Sequence, residues 1–422
     1  MGDPLSVGSR VDLSNVLKHV DNQRDFIIEL YRGGFIPIKA LAPENGGDGE
    51  WDRANYLLGI VRRYFDEVKV IEAPDNRVSK GSRPNIVALI KGLDSSRTYW
   101  VIAHMDTVPE GDKSLWNYEP FNATVVGDAI YGRGVEDNGQ GIVMGITVGK
   151  VLRELGITPP VNYGVILASD EEVGSKYGIQ YVINKEPSLI SSRDLVLVPD
   201  AGNTDGTMIE VAEKGILWVK VTVYGKQAHA LLPELGLNAY RLGSELTLEI
   251  DRKLHETFNY EDPLFVPPKS TFEPTKVEPN VGNVNTIPGK HVFYIDCRIL
   301  PKYSIDEVLR VIRDTANNYC NTHGCKVNVD VVSREDPVQP TNADSEIVRR
   351  LAKAIRTVKG LEPKLLGIGG GTYARYLRAR GGIPVAVWMT SKETAHAPDE
   401  HVLISDVISD IKTVVASLLM EP

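Results

Sequence analysis

Three observations predict an α/β chain with a mostly parallel sheet, interrupted by a smaller α+β domain. Four short runs rich in Val and Ile, at 100–103, 161–168, 195–198 and 383–389, have helical patterns between several of them, notably over 139–155. Short apolar strands alternating with helices build a mostly parallel sheet. Between 214 and 332 the texture changes to runs that alternate apolar and polar residues, as half-exposed strands do. The length of 422 residues accommodates two or three domains. The expected division is a larger discontinuous domain of 1–213 and 333–422, with 214–332 inserted as the smaller one.

In chain order, 13–30 carries apolar residues at helical spacing and reads as an amphipathic helix. The turn-rich stretch Ala42-Pro43-Glu44-Asn45-Gly46-Gly47-Asp48-Gly49-Glu50 is a loop, and a second helix follows over 51–64. Each apolar run then stops at polar side chains able to bind metal. The run 100–103 ends in His104-Met105-Asp106, 161–168 in Ser169-Asp170-Glu171-Glu172, and 195–198 in Pro199-Asp200. The run 383–389 leads through a short loop to His396. In open α/β sheets, ligands bind beyond the carboxyl ends of the strands, where these side chains stand. In the inserted domain, 217–224 reads as a strand, 239–254 as a helix, and 270–277 and 291–299 as strands. A helix over 304–318 and a strand over 326–332 complete a β-α-β-β-α-β, ferredoxin-like order.

Composition removes several function classes. A net charge of −9, with no run of Lys or Arg, argues against nucleic acid, whose phosphates require a basic face. No stretch approaches the ~18 apolar residues of a membrane span. The start, Met1-Gly2-Asp3-Pro4, lacks the basic and apolar pattern of a secretory signal, and Asp3 and Pro4 weaken any likeness to a myristoylation site. The cytoplasm is the expected compartment. Cys297, Cys320 and Cys325 are too few for a disulfide framework, and Cys320 and Cys325 are expected to be packed thiols in a reducing compartment.

Five of the eight histidines, His19, His255, His291, His323 and His401, have no notable neighbours. His104, His229 and His396 lie in polar, turn-rich contexts. A single His after a strand is more often structural than a ligand. Here Asp106 follows two residues later, and a metal-bound imidazole commonly donates its other N–H to a carboxylate. The Gly-rich stretch Gly132-Arg133-Gly134-Val135-Glu136-Asp137 opens a helix that Asp137 or Asn138 could cap, and it lacks the Lys-Ser/Thr of a phosphate loop; with acidic partners elsewhere, a carboxylate here is also a candidate bridge between metals. Asp170-Glu171-Glu172 places three carboxylates side by side, which repel unless cations neutralise them. Taken alone, such a run is a solvated acidic loop; at the end of an apolar strand it is a candidate metal site. Nitrogen and oxygen donors without thiolate suit Zn²⁺ in an open hydrolytic site, or Co²⁺ or Mn²⁺ in its place.

On these residues the chain resembles the zinc aminoacylase/carboxypeptidase family, which includes succinyl-diaminopimelate desuccinylase, acetylornithine deacetylase, glutamate carboxypeptidase and dipeptidases. The resemblance rests on His104-Met105-Asp106-Thr107-Val108-Pro109, Gly132 to Asp137, Asp170-Glu171-Glu172-Val173-Gly174-Ser175 and Pro199-Asp200. Gly369-Gly370-Gly371-Thr372 and Thr394-Ala395-His396 complete it. It implies a di-zinc catalytic domain with a lid that also dimerises. It assigns two Zn²⁺ per chain: His104 and Asp200 on one, Glu172 and His396 on the other, Asp137 bridging. It makes Glu171 the general base and has Asp106 orient His104. His229, in Gln227-Ala228-His229-Ala230, would reach an active site across a homodimer. Asn285, Arg298, Gly370, Gly371 and Thr372 would contact the substrate, with Arg298 on its carboxylate. After the glycines this chain reads Thr372-Tyr373-Ala374-Arg375, where many relatives place Asp or Ser-Asp after the Thr, so Tyr373 is expected to reshape the pocket.

The implied reaction is hydrolysis of an amide in a small N-acyl amino acid or short peptide. Two zinc ions acidify the attacking water. Glu171 takes its proton and passes it to the leaving amine. A carboxypeptidase or dipeptidase would use the same metals and differ only in pocket shape. A non-catalytic metal-binding scaffold is the rival from another class, and it gives Glu171 no task.

Overall fold

The computed structural model describes residues 12–421, so the readings made on Met1 to Pro4 lie outside it. The chain divides into two compact units. The first comprises the chain up to Val211, Thr341–Leu365 and the chain from Thr372; the second comprises Ala212–Pro340 and Leu366–Gly371.

The first unit is built on the strand order Glu67–Pro74, Ser82–Ile90, Val161–Ala168, Asp94–His104, Leu195–Asn203, Val385–Thr390, followed by the first part of Met208–Glu213. The four strands expected from the apolar runs are neighbours and parallel. The sheet as a whole is mixed, which corrects the expectation of a mostly parallel one. Glu67–Pro74 and Ser82–Ile90 form an antiparallel hairpin that pairs antiparallel with Val161–Ala168. Their short connection, 75–81, cannot hold the crossover of a dozen or so residues that parallel pairing needs. Met208–Glu213 likewise runs antiparallel to Val385–Thr390.

The parallel strands are apolar on both faces because both are covered. Val101 and Val165 approach Gly145 of the helix Gly141–Glu154 so closely that an added Cβ there would lie 3.3 Å from each. Trp100, Ile102, Ile166 and Ala168 point the other way and pack with the short helices Ile179–Lys185 and Ala374–Ala379. This alternation also sets the direction in which His104 leaves its strand. The single helix expected over 13–30 is two, Leu13–Asp21 and Arg24–Leu30, broken where Asn22 caps the first by donating to His19 and Val20 carbonyls.

In the second unit the sheet order is Thr271–Val277, Lys290–Ile299, Gly215–Tyr224, Lys326–Glu335, antiparallel throughout. Leu217, Val219, Val221 and Val223 form one buried face of the central strand, against the helices Ala239–Thr257 and Ile305–His323. Both helices start at side-chain caps: Asn238 accepts from Tyr240 and Arg241 N–H, and Ser304 and Glu307 form a capping box. Each such cap contributes about 1 kcal/mol.

Cys320 and Cys325 form a disulfide, not two packed thiols. The helix ends at His323, Gly324 takes the left-handed conformation, and Cys325 N–H returns to the Cys320 carbonyl. That reversal brings the two Cα atoms to 4.6 Å, within bridging range. Cys297 is buried and free. Among the described residues no helix is long and apolar enough to cross a membrane.

Candidate metal centre

His104 is the last residue of its strand and is buried. Its Nδ1 lies 3.0 Å from the Asp106 carbonyl, which can only accept, so Nδ1 carries a proton and Nε2 is the nitrogen turned to the acidic cluster. Nε2 lies 2.9 Å from Asp137 Oδ1 and 3.4 Å from Asp200 Oδ1. The Asp106 carboxylate, 3.5 Å from His104 Nδ1, also accepts the backbone N–H of Glu171 at 3.0 Å and of Glu172 at 3.1 Å. One buried side chain thus ties the first histidine to the acidic turn. Arg53, fully buried, donates to Met105 O at 2.6 Å and to Ile38 O through Nε and Nη2, steadying the same segment from behind.

Asp137 follows Gly134, whose φ of 86° favours glycine and whose added Cβ would lie 2.5 Å from Thr107 Cγ2. The Glu400 carboxylate gathers this turn: Oε1 accepts the N–H of Gly134, Glu136 and Asp137 at 3.0 to 3.1 Å, and Oε2 pairs with Arg133 at 2.6 Å. Asn138 donates to Pro199 O and to Asp200 Oδ1. His396 sits at φ 63°, in the left-handed region, and Arg133 Nη2 holds its carbonyl at 3.1 Å. Its Nε2 lies 3.2 Å from Asp137 Oδ2 and 3.1 Å from Glu172 Oε2.

The acidic turn is anchored from below. Asp170 Oδ2 accepts Tyr177 N–H, and Asp170 Oδ1 lies 3.4 Å from Arg83 Nη1. Arg83 is itself buried and grips Glu50 with Nε and Nη2. Burial, with Asp200 next in effect, pushes Glu171 well above the usual carboxylate range. Burial and then Asp137 push Glu172 up to about 7. Bonds to Asp137 and Glu172 raise His396 to about 10. Burial opposes charge on His104, but Asp200, Asp106 and Asp137 hold its proton affinity well above that of free imidazole.

This is a set of buried acids short of positive charge, and a divalent cation would supply it. Glu172 Oε1 is buried without a hydrogen-bond partner, an orphaned acceptor directed at no donor of the chain. Ligand atoms of His104, Glu171 and Asp200 lie within 4.8 Å of one another, as do those of His104, Asp137 and Glu172. The residues therefore fit a divalent ion. Of the residues singled out in the sequence, His104, Asp106, Asp137, Glu171, Glu172, Asp200 and His396 meet here.

Thr372 belongs to the first unit, where its Oγ1 accepts Ala374 N–H. Tyr373 is fully buried, donates to Ser169 O at 2.8 Å, and sets its ring edge-on to His104. His229, Asn285, Arg298, Gly370 and Gly371 belong to the second unit. There His229 is exposed and pairs with Thr286 across a two-residue ladder, and Ala230 N–H donates to Asn285 O. Arg298 donates through Nε and Nη2 to Asp296 and through Nη1 to Gly369 O. Sequence reading missed Arg53, Arg83, Arg133, Glu136 and Glu400. Glu136 and Glu400 lay in plain view beside Asp137 and His396, but nothing local marks them.

The chain matches the model of peptidase family M20/M25/M40 over residues 100–420. It is 39% identical to an uncharacterized metallohydrolase of Methanocaldococcus jannaschii, covering 88% of this chain and 94% of that protein. It is 27% identical to the succinyl-diaminopimelate desuccinylase of Wolinella succinogenes, covering 73% and 80%. The fold is similar to that of human carnosine dipeptidase 1, with a TM-score of 0.74 at 18% identity over 96% of this chain and 98% of that one.

Proposed function

The chain belongs to peptidase family M20/M25/M40 and is a metallohydrolase, and from that premise we propose that it cleaves the amide bond of an N-acyl amino acid beside the free carboxylate. One observation carries the reading: Asp106 binds the backbone of both Glu171 and Glu172 while facing His104, which holds a candidate base and two candidate ligands in fixed relation. In the proposed arrangement His104, Asp137, Glu172, Asp200 and His396 would hold two Zn²⁺ ions. Bound divalent ions supply Lewis acidity, acidifying water and polarising a carbonyl oxygen.

The remaining chemistry is the chain's own. Glu171 accepts the proton of the attacking water and returns it to the departing nitrogen, the work of a general base that becomes a general acid. Asp106 keeps His104 in the tautomer with Nε2 bare. His229, with an exposed imidazole, donates to the oxygen that gains charge, and it does so from a second copy of the chain in a homodimer formed by the second unit. A substrate carboxylate that pairs with Arg298 does so in competition with Asp296. The acyl half is proposed to be succinyl-like or acetyl-like, in keeping with the desuccinylase relatives.

The test is a panel of N-succinyl, N-acetyl and other N-acyl amino acids beside dipeptides and tripeptides, each assayed for amine release by the chain loaded with Zn²⁺ or Co²⁺ and after chelation. Metal-dependent cleavage of acyl amino acids is expected. Cleavage of peptides alone would replace the deacylase reading with an exopeptidase, and full activity after verified removal of metal would end the reading altogether.

A further inference from the structure

Two buried carboxylates near the centre touch neither His104 nor Asp200. Glu136 precedes Asp137 in the chain, but its side chain turns to the segment that leads to His396. Its Oε1 accepts the Ser391 hydroxyl at 2.7 Å and the N–H groups of Lys392 and Glu393. Its Oε2 accepts the N–H and hydroxyl of Thr394 at 2.8 and 2.6 Å. Glu400 follows His396, but its Oε1 turns back to the Asp137 segment, taking the N–H groups of Gly134, Glu136 and Asp137. Each carboxylate is therefore rooted beside one candidate ligand and holds the backbone that carries the other. Both are fully buried. Arg133 completes the cross-link, bonding Glu400 at 2.6 Å and the His396 carbonyl at 3.1 Å.

We propose that Glu136 and Glu400 are a crossed pair of positioning residues that deliver Asp137 and His396 to the metal centre as one unit. The inference rests on the two-ion reading of that centre. His396 has the most exposed side chain of the candidate ligands and a left-handed backbone, so it has the least packing of its own to hold it. Five hydrogen bonds to Glu136 hold the preceding segment instead. A carboxylate accepts at both oxygens, whereas an amide in its place must turn an NH₂ towards one set of donors. The two residues differ in reach. The side-chain bonds of Glu136 all go to the segment before His396, whereas those of Glu400 go to the Asp137 segment and, through Arg133, to His396.

The experiment is metal titration of chelator-stripped protein, with Zn²⁺ by calorimetry and with Co²⁺ by its visible absorption, which reports coordination geometry. The wild-type chain takes up two ions. In Glu136→Gln, one ion keeps its affinity and the other weakens roughly 10- to 100-fold, the range for losing a group that orients a ligand. In Glu400→Gln both ions weaken. Ser391→Ala, which removes one bond to Glu136, weakens the same ion to a smaller extent and covers the case in which Glu136→Gln does not fold. Thermal unfolding of the stripped proteins separates positioning from a general loss of stability. Two ions at wild-type affinity and an unchanged cobalt spectrum in both Glu136→Gln and Ser391→Ala would overturn the inference, as would equal weakening of both ions in Glu136→Gln. A wild-type chain that binds no ion would overturn the two-ion reading, and this inference with it.

Discussion

Glu171 and Glu172 are consecutive, and Asp106 holds both backbone N–H groups, yet the proposed function gives them different work. Glu171→Gln is expected to keep the fold and the metal content while turnover falls by ~10²–10⁴, the range for losing a general base. Elemental analysis beside steady-state kinetics checks this, and a variant that loses its metal instead would exchange the two assignments. Arg83 makes a separate case. It is fully buried, and Arg83→Met leaves the Glu50 carboxylate buried without its partner. Breaking such a pair costs about 3–5 kcal/mol, read as a fall in the denaturant midpoint. The candidate ligands were legible because each stands where an apolar run or a glycine turn stops. Glu136, Glu400 and Arg83 were not, since their partners are remote: Glu136 meets Ser391 across 255 residues of chain. In one dimension they are ordinary charged residues.

Elements were legible where their periodicity was clean. The alternation over 217–224 marked the strand Gly215–Tyr224, and the four apolar runs marked the parallel core. The hairpin Glu67–Pro74 with Ser82–Ile90 was passed over because its first strand is largely exposed and lacks an apolar run. The Cys320–Cys325 bridge depends on the helix stopping and Gly324 reversing the chain, which cysteine spacing alone does not encode. The strand Lys290–Ile299 carries a testable titration. His291 is buried, its Nδ1 has no hydrogen-bond partner, and its ring meets that of Tyr240 at 5.1 Å. Burial lowers its pKa from the ordinary value, so the folded chain refuses a proton that the unfolded chain accepts. Stability is therefore unaffected by this group above about pH 6.5 and falls as the pH drops below it, by at most about 1.4 kcal/mol per pH unit. Thermal melts between pH 7.5 and 5 should show a smaller acid loss in His291→Gln than in wild type. Parallel losses in the two proteins would show that another group sets the acid sensitivity.

For the molecule as a whole, two measurements follow from the proposed centre and dimer. Ions that bind only the folded chain stabilise it by about 4 kcal/mol at a thousandfold excess over Kd, so chelation should lower the melting temperature and Zn²⁺ should restore it. An unchanged melting curve would exclude tight binding. The proposed action of His229 across a dimer is tested by mixing His229→Ala with Glu171→Gln chains under conditions of subunit exchange. Each mixed dimer then has one site with both lesions and one with neither, and activity returns. No recovery after verified exchange would place His229 in its own chain's site or in none.

The division of the first unit by the second has a consequence for synthesis. His104, Asp137, Glu172 and Asp200 precede the inserted unit, whereas His396 and Glu400 follow it. On the ribosome, at ~5–20 residues per second, the second unit is complete in sequence before the last candidate ligand has been made. Until then the strand Val385–Thr390 is missing from the interior of the sheet, and Asp137 and Glu172 lack His396, although His104 is already present. A nascent or prematurely ended chain therefore cannot assemble the whole set of ligands. On the proposed assignment, the ion of Glu172 and His396 would lack its histidine until almost the whole chain has been made, whereas the residues of the other are in place much earlier.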